Sequence, residues 1–424
     1  MKHQNNYLFQ NWAKNVQHAF KIVYQPKDLK EIHELIKTHQ NLRMVGSGHS
    51  WAHLWKGGET LIDLSQFYFE PIIYSETLEV ELSAGMKIFQ INQFLDKNNL
   101  ALQNLGSYDQ QSIAGAIATG THGTGKNFRC LASQCTEFTF IDGTGQFHTL
   151  TPNHPDFYAC LVALGKMGII TKLKIQVVPA FNLHEHTFTC TWKEAIQLFT
   201  NWLSQYDHLK IWWLPPSEYV VVYALARTHD PIHESKWQNF WREKVLSVGI
   251  YRLFVILGNI YPRLRPSINR FLTSQMKKTY LRTNKSYKIF KVPSPPKHRE
   301  TEWAFPLENY QEILTNYFQR YTDNRFTFNF IQEIRISKAD DFWLSPAYQR
   351  DSLWIGLYNH YDKQWNELLK DFQQFALAHH ARPHLGKEYH LSSQELSCLF
   401  PKWIDFQHIR KKYDPMNKFS SETI

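Results

Sequence analysis

The chain has 424 residues, 43% of them hydrophobic and 20% charged, which indicates two globular domains and excludes a disordered chain. Its net charge of +9 favours anionic partners, but Lys and Arg are scattered and no nucleic-acid-binding motif is present, so no nucleic-acid partner is expected. Five cysteines without a CxxC pair predict no disulfide framework and no metal site, and the polar N-terminus lacks a signal-peptide core, so we expect a cytoplasmic protein.

Short apolar runs alternate with helical periodicity along the first 179 residues. Apolar runs bounded by turn residues predict strands at 22–24, 42–45, 78–82, 138–141 and after Gly165. Apolar residues that recur at helical spacing predict helices at 29–36 and 88–95. A domain boundary is expected near Pro179, where the pattern changes.

The middle of the chain gives a mixed signal of helical stretches and strands, such as 219–223. Residues 245–262 are strongly apolar but shorter than the roughly 20 residues that a membrane span needs, and they include Arg252. We interpret them as a buried or surface helix, and peripheral membrane contact stays open because basic residues flank the run. Residues 362–380 predict a further helix with one apolar face.

Two glycine-rich segments are the most distinctive feature of the N-terminal part. The first, Val45-Gly46-Ser47-Gly48-His49-Ser50, follows a strand and lets backbone N–H groups approach a pyrophosphate. It lacks the third glycine and the helix of a dinucleotide-binding fingerprint, so the pattern disfavours NAD. The second, Ser112 to Gly125, is dominated by small residues, as a backbone cradle for a large phosphorylated cofactor requires. Its regular small–apolar pattern argues against a flexible linker.

Together these segments resemble the FAD-binding domain of the sugar-1,4-lactone oxidases and alditol oxidases, within the vanillyl-alcohol-oxidase superfamily. Further matches follow in the same order along nearly the whole chain, at 11–13, 104–107, 165–171, 268–271, 287–290, 302–306, 344–351 and 413–419. The resemblance implies an α+β fold with a bipartite PCMH-type FAD-binding domain at 1–179. It also implies a substrate (cap) domain at 180–380, with a large antiparallel sheet flanked by helices, and a C-terminal segment at 381–424 that returns to the FAD domain.

The resemblance implies FAD as the cofactor, joined covalently to His49 through the 8α-methyl of the flavin. A neutral imidazole is a competent nucleophile near pH 7, so the attachment is chemically reasonable. The other residues that the resemblance places at the cofactor are Val45, Gly46, Ser47, Gly48, Ser50, Gly106, Ser107, Ser112, Gly115, Thr119, Gly120, Thr121, His122, Gly168, Ile170, His384 and Lys387.

Residues 328–336 predict a strand whose period of two places Glu333 and Arg335 on one face. Such a pair is either a surface ion pair or part of a polar pocket. In the resembling family an acid–x–arginine pair lies over the flavin and binds substrate hydroxyls, which favours the pocket. The resemblance also assigns substrate contacts to Ser107 and to Lys387, which follows a Pro and a Gly turn.

The expected reaction is oxidation of an alcohol group of a sugar-derived small molecule, with hydride transfer to FAD and reoxidation by O2 to H2O2. Leu385 replaces a family Trp, and Gly356 and Tyr358 replace a His and a Thr of alditol oxidases. The latter two departures favour an aldono-1,4-lactone over a polyol. Gly106 leaves space for oxygen beside the flavin, which favours an oxidase.

Four alternatives remain open at this point. The first two are an alditol oxidase and a lactone dehydrogenase that passes electrons to a cytochrome or quinone. The third is a flavin-bearing binding module without turnover, against which the set Glu333, Arg335 and Lys387 argues. The fourth is a sugar-nucleotide reductase, which would not need the attached His49.

Overall fold

The computed structural model describes residues 1–233, 249, 251–275, 279–292, 296–323 and 325–420. Within these residues the chain forms three main sheets and one two-stranded ribbon, with helices packed on their faces. Of the apolar run 245–262, residues 245–248 and 250 lie outside the described part.

The N-terminal sheet is built from β1 (Lys2–Gln10), β2 (Gln17–Gln25), β3 (Leu42–Val45) and β4 (Thr60–Asp63). The strand order is β1-β2-β4-β3, and the pairs β2–β4 and β3–β4 are parallel. Helix α1 (Leu29–Thr38) begins after Asp28, whose carboxylate accepts a hydrogen bond from the backbone N–H of Glu31. The apolar stripe of α1 packs into the core beside this sheet, and β3 ends directly before the first glycine segment.

The next strands are β5 (Ile72–Tyr74), β6 (Glu79–Ser83), β7 (Leu100–Ala101), β8 (Cys135–Asp142), β9 (Phe147–Leu150), β10 (Gly168–Gln176) and β11 (Val178–Pro179). Five of them form an antiparallel sheet in the order β5-β6-β10-β8-β9, and β7 pairs with β11. Asp142 and Gly143 lie in the turn of a hairpin, because β8 and β9 pair on either side of them.

Three helices accompany this second sheet: α2 (Ile88–Lys97), α3 (Ile113–Ala118) and α4 (Phe157–Cys160). Helix α3 lies inside the second glycine segment, where the sequence predicted only a backbone cradle. It forms because Ile113, Ala116 and Ile117 share one buried face and pack into the adjacent core.

The third sheet has eight strands: β12 (Asn182–Thr191), β13 (His208–Trp213), β14 (Tyr219–Thr228), β15 (Tyr280–Lys285), β16 (Arg299–Pro306), β17 (Gln332–Ser337), β18 (Ser352–Asn359) and β19 (Arg382–Pro383). Their order is β15-β12-β14-β13-β17-β18-β16-β19, and every neighbouring pair is antiparallel. The predicted strand 328–336 starts only at Gln332, because its partner β13 ends at Trp213, directly opposite.

The remaining helices are α5 (Trp192–Gln205), α6 (Tyr251–Ile260), α7 (Arg265–Gln275), α8 (Ser286–Phe290), α9 (Tyr310–Thr322), α10 (Trp365–Ala378), α11 (Ser393–Leu399) and α12 (Trp403–Tyr413). Helices α5, α9 and α10 cover one apolar face of the large sheet. The predicted large antiparallel sheet with flanking helices is therefore confirmed. Across the described ranges, every helix is too short or too polar to cross a bilayer.

Alternation along the strands gives the large sheet two unlike faces. Ile334 and Ile336 of β17 join the core under the helices, whereas Glu333 and Arg335 lie on the opposite face. The neighbouring strands repeat this division, so one face is apolar and the other polar. The C-terminal residues return to the second sheet, where Leu396, Phe400 and Phe406 join its core.

Candidate active site

A large cavity lies between the glycine segments and the polar face of the eight-stranded sheet. The four residues predicted to be catalytic line it, namely Ser107, Glu333, Arg335 and Lys387. The predicted cofactor residues in its wall are Val45, Gly46, Ser47, Gly48, His49, Ser50, Gly106, Ser107, Ser112, Gly115, Thr119, Thr121, His122, Gly168, Ile170, His384 and Lys387. The fold thus brings together residues from both ends of the chain.

Of the predicted cofactor residues, all of which the structure describes, Gly120 alone is absent from the cavity wall. It follows α3 with φ +71°, and its backbone N–H donates to the carbonyl of Ile117. A left-handed residue at this position favours glycine because a Cβ atom would be strained. Gly120 therefore shapes the turn that carries Thr121 and His122 to the cavity.

The two glycine segments form one wall, which we call the glycine cradle (residues 45–50 and 106–122). A Cβ atom on Gly46 would lie 1.9 Å from Ser112 Oγ, so only glycine allows this approach. Ser47 Oγ donates to the carbonyl of Gln110 at 2.6 Å and ties the segments together. Ser112 Oγ is buried and has no hydrogen-bond partner among the described residues. The cradle is thus a close-fitting surface of backbone and small side chains with an unused hydroxyl.

His49 lies in an aromatic box at the cavity wall. Its ring stacks on Tyr108, with centroids 4.0 Å apart, and meets Trp12 and Trp51 edge-on at 4.7 and 4.9 Å. Burial, assisted by the charge of Lys387, lowers the pKa of His49 to about 3, so the imidazole is neutral at pH 7. Its buried Nδ1 has no hydrogen-bond partner within the described part of the chain. His49 therefore offers a neutral imidazole with one unpaired ring nitrogen.

The C-terminal segment is fastened to the first glycine segment. The carbonyl of Gly386 accepts hydrogen bonds from Ser50 Oγ at 2.7 Å and from the backbone N–H of Trp51 at 2.8 Å. The next residue, Lys387, extends its ammonium over the Trp51 ring, 4.0 Å from the centroid. This attachment fixes Lys387 beside His49, although the two residues are far apart in the sequence.

Next to His49 the cavity wall carries five charged side chains, which we call the charged cluster (Glu300, Glu302, Glu333, Arg335 and Lys387). Arg335 contacts Glu302 at 2.5 Å and Glu333 at 3.2 Å. Lys387 Nζ lies 2.5 Å from Glu300 Oε2. These ion pairs fix the orientation of both cationic side chains, and each cation is paired with a carboxylate of strand β16.

Sequence reasoning missed Glu300 and Glu302 as site residues. They alternate in β16 with Trp303 and Phe305, which pack into the core of the opposite face. The same period of two that identified Glu333 and Arg335 applies to them, so the signal was present in the sequence.

Glu333 is held in place from several sides. Its Oε1 accepts a hydrogen bond from Trp212 Nε1 at 2.9 Å, and its Oε2 accepts one from the Tyr358 hydroxyl at 3.0 Å. Lys210 Nζ lies 3.9 Å from Oε1. Because both oxygens are already engaged, Glu333 acts in this structure as a fixed counter-charge for Arg335.

The charges of the cluster stabilise one another. Burial alone raises the pKa of Glu302, but the charge of Arg335, the contacts with His122 and the charge of Lys387 together hold the pKa well below its usual range. In the same way burial raises the pKa of Glu300, but the charge of Lys387 and the contact with His298 together bring it to about 2. The pKa of Arg335, which burial lowers, is raised overall by Glu302 and Glu333. These carboxylates and the guanidinium are therefore ionised at neutral pH.

The three departures from the family pattern have different structural consequences. Leu385 is buried in the core beside the second sheet and does not line the cavity. Gly356 leaves room for the Tyr358 ring, since a Cβ atom there would lie 2.9 Å from Tyr358 Cε2. Tyr358 itself lines the cavity. Of the three, the pair Gly356 and Tyr358 therefore shapes the site, whereas Leu385 does not.

These features fit FAD. The cradle provides close backbone approach and the unpaired Ser112 hydroxyl, which suit a diphosphate. The unpaired His49 Nδ1 and the surrounding aromatic rings suit a flavin ring next to them. The residues present would hold the cofactor from the glycine cradle to the charged cluster.

Comparison with known proteins agrees with this geometry. Residues 173–424 match a family model described as D-arabinono-1,4-lactone oxidase. The chain belongs to this family. Residues 20–151 match an FAD-binding domain model, which confirms the predicted cofactor.

Similar proteins cover nearly the whole chain. L-gulonolactone oxidase of Mus musculus is 30% identical over 97% of this chain and 96% of its own length. L-gulono-1,4-lactone dehydrogenase of Mycobacterium tuberculosis is 26% identical over 98% of this chain and 97% of its own length. Among solved structures, a variant of the cholesterol oxidase from Brevibacterium sterolicum superposes with a TM-score of 0.85, at 16% identity over 99% of this chain and 96% of that one. The last likeness supports the predicted fold class and nothing finer.

Proposed function

We propose that the protein oxidises a hydroxyl-bearing carbon of an aldono-1,4-lactone. The observation that carries the proposal is the convergence of Arg335 and Lys387 on the cavity that also contains the FAD-binding glycine cradle. Family membership and the lactone-oxidising relatives support the same substrate class. Bound FAD would supply the acceptor for the substrate hydride, and O2 would then be reduced to H2O2.

Arg335 and Lys387 would bind and polarise the substrate hydroxyl. Their positive charges favour its deprotonated form and so make loss of the carbon-bound hydride easier. Arg335 uses part of its donor set on Glu302, Glu333 and the carbonyl of His122, and further N–H groups of the guanidinium remain for a ligand. Ser107, which also lines the cavity, would donate a hydrogen bond to the substrate.

Glu333 would orient Arg335 rather than carry a proton. Its two oxygens accept hydrogen bonds from Trp212 and Tyr358, which leaves little capacity for an incoming proton. Glu300 and Glu302 would play the same part for Lys387 and Arg335. The proposal thus assigns substrate contact to the two cations and positioning to the three carboxylates.

We propose O2 as the electron acceptor. Gly106 lies in the cavity wall, and a Cβ atom there would crowd Thr121 Cγ2 at 3.1 Å, so the glycine keeps this part of the wall open. A dehydrogenase that passes electrons to a cytochrome or quinone is the second candidate, because a relative that matches nearly the whole chain is described as an L-gulono-1,4-lactone dehydrogenase.

We further propose that His49 carries the flavin covalently. The neutral state of the imidazole and its unpaired Nδ1, judged within the described residues, support this role, because attachment requires a free ring nitrogen.

The decisive experiment measures flavin bleaching in the absence of O2 with aldono-1,4-lactones, alditols and sugar phosphates. We expect rapid bleaching with at least one lactone and slow or no bleaching with the other classes. Faster bleaching by an alditol than by any lactone would contradict the substrate assignment. On admission of air, H2O2 should form in step with lactone consumption; turnover that requires a dye or cytochrome would instead support the dehydrogenase.

We also propose a cytoplasmic location with contact at the inner face of a membrane. Cys130, Cys135 and Cys160 are buried and form no disulfide within the described residues, which suits a reducing compartment. Helix α6 exposes apolar side chains such as Leu253 and Ile260, and arginines flank them. Co-sedimentation with vesicles rich in phosphatidylserine, and not with neutral vesicles, would support this contact; no sedimentation with either would contradict it.

A further inference from the structure

Lys87 places a positive charge in the cavity at a point that the proposed reaction does not use. The residue directly precedes helix α2, and its side chain lines the cavity. Its ammonium donates a hydrogen bond to Ser47 Oγ at 2.8 Å, in the middle of the first glycine segment. Lys87 therefore reaches the glycine cradle from the second sheet, away from the charged cluster.

This ammonium lacks the counter-charge that a partly buried cation normally has. Within the described residues no carboxylate lies at ion-pair distance from Lys87 Nζ, and its hydrogen bond to Ser47 is to a neutral oxygen. By contrast, each cation of the charged cluster has a carboxylate within 3.2 Å. Burial lowers the pKa of Lys87 and the charge of Asp63 only partly opposes it, so the protein alone does not compensate this charge.

The surroundings of Lys87 are suited to an anion that approaches the backbone closely. Gly46 of the adjoining loop packs against Ser112, and Gly85 packs against the carbonyl of Leu64, so at these two points the cavity is lined by backbone without side chains. Ser112 Oγ, beside Gly46, is a buried hydroxyl without a partner among the described residues. A cation, an unused hydroxyl and a glycine loop together form a site for a phosphate or diphosphate.

We propose that Lys87 binds the diphosphate of FAD and supplies the positive side chain of the cofactor site. The glycine segments provide shape and backbone N–H donors, whereas Lys87 provides charge. The proposal concerns cofactor affinity and does not depend on which substrate the protein oxidises. A purely structural role, in which Lys87 only fixes Ser47, is the competing explanation.

Flavin titrations on a His49→Ala background test the proposal, because binding is then reversible. We would measure the Kd of FAD and of riboflavin, which has no phosphate, for protein with Lys87, Lys87→Met or Lys87→Arg. Loss of a charge-assisted contact should raise the Kd of FAD about 10- to 100-fold in Lys87→Met, and Lys87→Arg should recover most of the affinity. Riboflavin affinity should change less than about twofold, the range of an unaffected contact.

The matched control is Lys97→Met, at the exposed end of the same helix, which should leave both affinities unchanged. The salt dependence of FAD binding should weaken in Lys87→Met and persist in Lys97→Met. An FAD affinity of Lys87→Met equal to that of its parent would overturn the proposal. Equal losses for FAD and riboflavin would also overturn it, because they would indicate a structural role.

A second measurement tests the same contact in a variant that still binds FAD. The two phosphorus resonances of bound FAD, followed by 31P NMR, should shift between protein with Lys87 and the folded Lys87→Arg variant. Identical resonances in the two proteins would place the diphosphate away from this residue and refute the assignment.

Discussion

The glycine cradle and the charged cluster share one cavity but are built in opposite ways. The cradle is formed by two short chain segments. Its shape depends on backbone and on the absence of side chains, since Gly46 packs so closely against Ser112 that a Cβ atom would clash. The charged cluster comes from strands β16 and β17 and from the C-terminal segment, and it works through ionised side chains that hold one another. In the proposed function the first binds the large cofactor, whereas the second binds the small substrate.

This difference indicates which residues could be substituted without loss of cofactor binding. The two regions meet where Lys387 lies near His49 and where the carbonyl of His122 accepts a hydrogen bond from Arg335. A substitution of Lys387 alters charge but breaks no hydrogen bond to the backbone of the cradle. Flavin binding and substrate oxidation should therefore be separable by mutation. The following predictions test this separation from the largest expected effect to the smallest.

His49→Ala should abolish covalent flavin completely. Wild-type protein precipitated with acid should keep its yellow flavin in the pellet, whereas the variant should release all flavin to the supernatant, because the proposed attachment needs this ring nitrogen. The measurement is the flavin absorbance of the two fractions. His229→Ala, at an exposed histidine, is the control and should behave as wild type. A colourless wild-type pellet would end the covalent proposal.

Lys387→Met should slow flavin reduction by the proposed lactone about 100-fold or more, the scale of losing one preorganised charge contact. Flavin content should stay at the wild-type level, because the cradle is intact. Stopped-flow bleaching without O2 measures the rate, and the absorbance ratio of flavin to protein measures the content. Lys338→Met, which removes a half-exposed lysine from the loop after β17, serves as the control. Near-normal reduction by Lys387→Met would show that the cluster is not the substrate site.

The same contrast explains what the sequence could predict. The cradle could be predicted because its residues are consecutive in the sequence, and because the need for glycine arises from the local backbone conformation. Glu333 and Arg335 were predictable as a pair because strand alternation is also local. The contacts of Arg335 with Glu302 and of Lys387 with Glu300 were not, because they depend on the order of strands in an eight-stranded sheet.

Individual differences have equally physical causes. Strand β17 starts four residues later than its alternation suggested, because a strand needs a partner and β13 ends at Trp213. The structural role of Tyr358 could not be predicted, because its ring occupies the space that a side chain at position 356 would fill. Neither fact can be read from apolar periodicity alone.

Acid should destabilise the protein through histidines that are buried as neutral groups in the cavity wall, such as His384. Burial lowers the pKa of His384 to about 3, whereas an unfolded histidine titrates near pH 6.5. Since the unfolded chain takes up a proton first, the contribution to stability is full above about pH 6.5 and is lost as the pH falls towards 3.

His384→Asn should therefore reduce the loss of unfolding free energy between pH 7 and 5.5 by about 1.3 kcal/mol. Urea unfolding at the two pH values measures this quantity. The exposed His229→Asn change is the comparison and should leave the loss as in wild type. An equal loss in all three proteins would show that His384 is accessible to protons in the folded state.

Tyr358→Phe should have the smallest effect, because it removes one hydrogen bond from a carboxylate that keeps other partners. The ring and its place over Gly356 remain, and only the 3.0 Å contact with Glu333 Oε2 is lost. We expect kcat to fall roughly tenfold, the scale of one hydrogen bond to a charged group, while KM changes little, because Glu333 acts on Arg335 and not on the bound substrate.

Steady-state kinetics with the best lactone separates this outcome from a direct substrate contact, which would raise KM as well. Tyr280→Phe, at a half-exposed tyrosine on β15, is the matched control. Gly356→Ala gives an independent test, since its Cβ atom would press on the Tyr358 ring at 2.9 Å and displace the same hydroxyl. If Tyr358→Phe and Gly356→Ala lower kcat together, the cluster depends on a rigid Glu333, in contrast to the cradle, where fixed backbone does the same work without any side chain.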